Sequence, residues 1–165
     1  MKKLFLGLFL MGLTTQMFAQ ELEHLPEVVI VHNYKYLSDV GIGEEAIPVK
    51  ELQLKVSDFN IKELDIYSDE YEFYDVYFFI PEGKILASYD KDGNLLRTIE
   101  RYKDIDVPST VLEAIGRRFP KWSISKNVYL VNYHETGKVR KLYKLTLENG
   151  DQRIKVKLNH RGVFQ

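Results

Sequence analysis

Across residues 107–165 the spacing of apolar side chains switches once, from every third or fourth position to every second. A chain patterned this way folds as a helix followed by strands. Pro108 suits the first helical position, where a missing N–H costs nothing, and Pro120 cannot continue a helix begun there. Between them Val111, Leu112, Ile115 and Phe119 recur at helical intervals, which predicts one apolar face needing a sheet to cover it. The strands follow. Tyr129, Val131 and Tyr133 alternate with Leu130, Asn132 and His134, and after Glu135-Thr136-Gly137 the residues Tyr143, Leu145 and Leu147 alternate with Leu142, Lys144 and Thr146. Asn149-Gly150 is a hairpin-turn pair, and beyond it Ile154, Val156 and Leu158 alternate with Arg153, Lys155 and Lys157. A period of two places one set of each strand inward and the other in water.

Part of this unit reappears about sixty residues earlier in the chain. Ile47-Pro48 matches Val107-Pro108, Leu52 matches Leu112, and Phe59 matches Phe119. Pro81-Glu82-Gly83-Lys84 falls where Glu148-Asn149-Gly150-Asp151 does, and Asp92-Gly93 where Arg161-Gly162 does. The expected fold is therefore α+β: two tandem helix-plus-antiparallel-sheet units forming a curved antiparallel sheet with helices on one face. The expected boundaries are 1–19 for a signal peptide, 20–46 for an N-terminal strand and loop, 47–102 for a first unit and 103–165 for a second.

A proline-started helix ending in Phe119-Pro120, then Trp122 and Ile124, a Tyr-containing strand at Leu142-Tyr143-Lys144-Leu145, an Asn-Gly turn and a last strand near Arg161-Gly162 are packing motifs. In these the chain resembles the PepSY-like family of β-lactamase-inhibitor-like secreted proteins, best over 103–165 and again over 47–102. The resemblance implies an envelope or secreted binding domain, an inhibitor among its options, and brings no catalytic set with it. Some similar sequences carry a nicotinate-nucleotide adenylyltransferase label, which the residues do not support. His160-Arg161-Gly162-Val163 lacks the second histidine of that family's phosphate motif, and the chain has no repeating βαβ order.

At the start, Lys2-Lys3, an apolar run over 4–13 and Met17-Phe18-Ala19 form the charged, apolar and small-residue regions of a signal peptide, with cleavage expected after Ala19. The run is half the length needed to span a bilayer, so no stable membrane anchor is expected after cleavage and the mature protein is expected in the periplasm or secreted. With no cysteine, disulfides and cysteine metal sites are excluded. Val28-Val29-Ile30-Val31 reads as a strand continuing through Tyr34 and Tyr36, and Gly41-Ile42-Gly43-Glu44-Glu45 as a loop.

In residues 73–80, Tyr74, Val76, Phe78 and Ile80 share one face and Phe73, Asp75, Tyr77 and Phe79 the other. Asp75 marks the second set as outward, which leaves Phe73, Tyr77 and Phe79 as candidate partner contacts; the alternative is a sheet buried on both faces. Charge divides the chain: residues 20–100 hold 7 Lys and Arg against 18 Asp and Glu, whereas 101–165 hold 14 against 6. Arg140, Lys144, Arg153, Lys155 and Lys157 all fall at outward strand positions, a candidate basic stripe for an acidic protein surface or envelope polymer; the alternative is attraction between the halves. A chain near neutral overall that leaves the cytoplasm disfavours nucleic acid.

Sites for chemistry are not apparent. His24, His32, His134 and His160 show no metal-ligand spacing, and there is no nucleophile elbow or phosphate loop. Asp90-Lys91-Asp92-Gly93-Asn94 has the start of a calcium loop, but the twelfth position, where a glutamate is required, is Arg101; a hairpin turn explains it better. No cofactor, metal or catalytic residue is expected. The expected function is a non-catalytic binding module acting through a sheet face on an envelope or secreted protein, the alternative being a carrier of a small ligand held between helix and sheet.

Overall fold

The computed structural model describes residues 33–41 and 45–165. Helix α1 (Tyr34–Val40), helix α2 (Ile47–Asp58) and a 3₁₀ turn (Ile61–Glu63) precede strands β1 (Phe73–Ile80), β2 (Gly83–Asp90) and β3 (Leu95–Lys103). Helix α3 (Ser109–Arg118) then leads to β4 (Ser123–His134), β5 (Lys138–Asn149) and β6 (Gln152–Asn159). The six strands form a single antiparallel sheet in the order of the chain.

This architecture is α+β, but it overturns the expectation of two tandem units. β3 and β4 pair along a continuous ladder from Arg97↔His134 to Lys103↔Val128, so the supposed boundary at position 103 lies inside one sheet. One hydrophobic core runs from Tyr36 to Leu158. The supposed counterparts also pack differently: Leu52 is 1% exposed, whereas Leu112 is 48% exposed. Among the described residues two α-helices precede β1 and one precedes β4. Matching turns and prolines reflect a shared need to start helices and reverse strands, which unrelated segments meet with the same residues.

The helices bury stripes at helical spacing. In α2, Val49, Leu52, Gln53 and Val56 face the sheet, and the Tyr89 hydroxyl donates to the Val56 carbonyl at 2.7 Å. In α3 the buried set is Val111, Ala114 and Ile115, so Ala114 takes the inward place expected for Leu112, and Pro108 stands just before the helix. The strand expected to continue through Tyr34 and Tyr36 is helix α1 there. Its buried set is Tyr36, Leu37 and Val40, and Gly41 caps it at φ 62°, its N–H bonding to the carbonyls of Leu37 and Ser38. The expected strand at 28–31 lies outside the described residues.

Strand alternation sorts the side chains into a covered and an open face. Under the helices lie Tyr74, Ile85, Ala87, Tyr89, Thr98, Glu100, Tyr102, Tyr129, Val131, Tyr133, Tyr143, Leu145 and Leu158, all buried. The outer edge of β6 is partly closed by the chain end: Phe164 bridges Leu158, and Gln165 N donates to the Lys157 carbonyl at 2.9 Å.

Candidate functional site

Cross-strand partners in an antiparallel sheet point to the same side, so the register assembles the open face row by row. One row is Asp75, Ser88, Arg97, His134 and Lys138 from β1 to β5; the next is Tyr77, Leu86, Ile99, Asn132 and Arg140. A third runs Phe79, Lys84, Arg101, Leu130, Leu142 and Asn159. Lys103, Val128, Lys144 and Lys157 follow, then Lys126, Thr146 and Lys155, then Glu148 and Arg153.

Every residue singled out as a candidate contact lies on this face. Phe73, Tyr77 and Phe79 are 66%, 56% and 67% exposed, and the last two rings stack at 5.9 Å with planes 15° apart. Arg140, Lys144, Arg153, Lys155 and Lys157 are also exposed. The two groups are at opposite ends of the sheet, however. Four strand spacings separate β1 from β5, about 19 Å at some 4.8 Å each, so a single partner touching both must cover most of the sheet.

The face is basic because its cations outnumber its acids and only some are paired. Arg97 Nε donates to Ser88 Oγ at 2.9 Å, Ser88 bonds Asp75, and Arg97 Nη2 lies 3.9 Å from Asp75. Arg153 is held by Glu148 at 2.5 Å, which takes one member of the expected stripe largely out of free charge. Lys84 and Arg101 are direct cross-strand partners, and no ion pair joins either to an acid among the described residues.

The covered face carries two buried carboxylates that sequence reasoning missed. Glu100 accepts from Tyr36 Oη at 2.7 Å and Thr98 Oγ1 at 2.7 Å on one oxygen, and from Gln53 Nε2 at 2.9 Å and Tyr102 Oη at 2.9 Å on the other. Burial pushes its carboxyl above the usual range even against these four donors. Glu45 accepts from Tyr129 Oη at 2.9 Å and pairs with Lys141. Tyr102, Tyr129 and Tyr143 are successive cross-strand neighbours, the last two stacked at 4.4 Å. Burial, with Glu45 near all three and Glu100 near Tyr102 and Tyr129, drives their phenols well upward, so they serve as donors and not as bases. The sequence signal was faint: tyrosines at inward positions bring hydroxyls that need acceptors.

Beside Glu45 a cleft of about 640 Å³ opens between the start of α3, β5 and the C-terminal turn, lined by Glu45, Ser109, Thr110, Lys141, Tyr143, His160 and Arg161. At the expected non-calcium turn, Gly93 has φ +90°, and the Asp90 carboxylate accepts from Asp92 N, Asn94 N and Asn94 Nδ2. Burial raises its pKa, but these bonds outweigh it and hold it below the usual range. Among the described residues no cluster of His, Cys, Asp or Glu is arranged to hold a metal, and no helix is long and apolar enough to cross a membrane.

The fold and this surface define a class: an α+β protein whose antiparallel sheet is covered by helices on one side and bare on the other. No protein-family model matches the chain, and no curated protein matches it.

Proposed function

We propose that the protein is a periplasmic or secreted, non-catalytic module that binds an acidic protein surface on the open face of its sheet. The observation that carries this reading is the composition of that face: aromatic rings at β1, apolar side chains across the middle, and unpaired cations throughout. Positive charge selects the sign of the partner, and rings supply anchoring area. Spanning β1 to β5 needs a patch about 20 Å or more across, the scale of a standard interface of about 800 Å² per partner. The resemblance to PepSY-like inhibitor-like proteins makes an enzyme one class of such partner.

The test is affinity capture of a partner from the envelope fraction with the mature protein, repeated with Arg153→Glu plus Lys155→Glu and at raised salt. The expected result is a captured acidic protein, weakened by both changes because exposed charges are screened within about 10 Å at 0.1 M salt. Capture indifferent to both removes the stripe from the interface.

The cleft beside Glu45 favours a second reading, a carrier of a small anionic ligand between helix and sheet, since Lys141, His160 and Arg161 line it. A thermal shift with a panel of small carboxylates and phosphates, abolished by Arg161→Glu, supports it; no shift across the panel counts against it.

A further inference from the structure

The cross-strand pair Lys84 and Arg101 sets two like charges directly opposite each other on the open face, as Lys144 and Lys157 do at the β5–β6 side. Like charges directly opposite each other repel, and neither residue has an acidic partner among the described residues. On the same face Arg97 and Arg153 are each held by an acid, whereas Arg140 and the Lys144–Lys157 pair are, like Lys84 and Arg101, joined to none among the described residues. Around Lys84 and Arg101 the surface is shaped. A groove of about 330 Å³ has Leu86, Ile99 and Leu130 for its floor and Tyr77 at its side, with Lys84 and Arg101 on its rim. A second hollow of about 280 Å³ adjoins it across the same two cations and is walled by Phe79. Ile99 is 51% exposed, so the floor is open to an incoming group.

We infer that this groove is the anchor point of the open face, taking an aromatic or leucyl side chain flanked by carboxylates in an exposed segment of the partner protein. The apolar side chain covers Leu86, Ile99 and Leu130 and packs against the Tyr77–Phe79 stack. Its neighbouring carboxylates meet Lys84 and Arg101, the guanidinium donating a forked pair of N–H bonds and the ammonium acting as a point charge. The groove volume is at the low end of ligand-sized sites, suited to one side chain and its flanking groups. The inference rests on the proposed protein-binding role of this face. It adds that binding is concentrated at the β1–β3 side and not spread evenly over the basic stripe.

The probe is a fluorescein-labelled peptide, Glu-Glu-Phe-Glu-Glu, titrated into the mature protein and followed by anisotropy. Glu-Glu-Ala-Glu-Glu reports charge alone and Gln-Gln-Phe-Gln-Gln the ring alone. The expected result is binding about tenfold tighter than either control, abolished by Lys84→Ala with Arg101→Ala and reduced by Phe79→Ser. Because the cation pair opposes the fold, the Lys84→Ala, Arg101→Ala protein is expected to melt at the same temperature or higher, which separates lost binding from lost structure. Equal binding of all three peptides, or a double variant that still binds, overturns the inference; so does a lowered melting temperature, which would make the pair structural. If partner capture responds to Arg153→Glu and Lys155→Glu but not to Lys84→Ala and Arg101→Ala, the anchor falls and the binding role stands. If it responds to neither, both fall.

Discussion

Replacing Glu100 by leucine is expected to bring the protein close to unfolding, whereas replacing it by glutamine is not. The carboxylate gathers donors from α1, α2 and β3 at a point where no water competes: Tyr36, Gln53, Thr98 and Tyr102 are each 1% exposed or less. Leucine strands all four donors, at about 1–3 kcal/mol for each buried polar group left unmatched. Even with the desolvation of a buried charge recovered, the low end of that range is about 4 kcal/mol, a large part of a typical net stability of about 5–15 kcal/mol. Glutamine keeps one carbonyl for Tyr36 and Thr98. Its amide then needs an acceptor, and Gln53 Oε1, which is buried without a partner among the described residues, can supply one if the Gln53 amide turns over. Glu100→Gln should therefore cost no more than about 1 kcal/mol at neutral pH. It should also change the pH profile. Burial raises the folded-state pKa of Glu100 above the ordinary value of about 4.3, so this group's contribution is most favourable in acid and falls as pH rises through the raised value. The glutamine protein lacks that fall. Urea denaturation followed by Trp122 fluorescence across pH measures both effects. A leucine variant within about 1 kcal/mol of the parent, or a glutamine variant equally damaged, would refute the claim that this network ties helices to sheet.

Two further substitutions test the packing. Lys141→Met leaves the Glu45 carboxylate buried and short of its cation, and should cost about 3–5 kcal/mol by chemical denaturation, much of it restored when Glu45→Gln is added. Gly83→Ala should lower the melting temperature by an amount equivalent to about 1–3 kcal/mol, because the added Cβ would stand 2.4 Å from Cδ1 of the buried Tyr102 ring and 3.0 Å from the Arg101 carbonyl.

The open face was readable in advance because a strand's side-chain period is two whatever lies around it. Asp75 among aromatic neighbours, and lysine or arginine at every other position of 153–157, set which side met water. Turns were readable for a similarly local reason: Gly93, Gly137 and Gly150 all adopt positive φ where the strands reverse. Helix α1 was not, since Tyr34 and Tyr36 alternate like a strand, and its fate depended on Gly41 capping a turn whose inner side could pack Tyr36 against Tyr133 at 5.1 Å. Leu112 and Ala114 exchanged roles because a short helix against a sheet can turn either way until its neighbours are present. Here the C-terminal turn fills that space: a Cβ on Gly162 would lie 3.1 Å from Ala114 Cβ and 2.7 Å from the Thr110 carbonyl.

From residue 73 on, local spacing thus decided which side of each strand would be wet and where the chain would reverse, but it misread Tyr34–Val40. Which strands became neighbours was decided elsewhere, by the ladder between β3 and β4 that merges the halves into one layer. The inward turn of Glu100 and Glu45 was decided with it, because a carboxylate is buried only where several donors from distant segments converge on it, and no stretch of chain read alone contains that convergence.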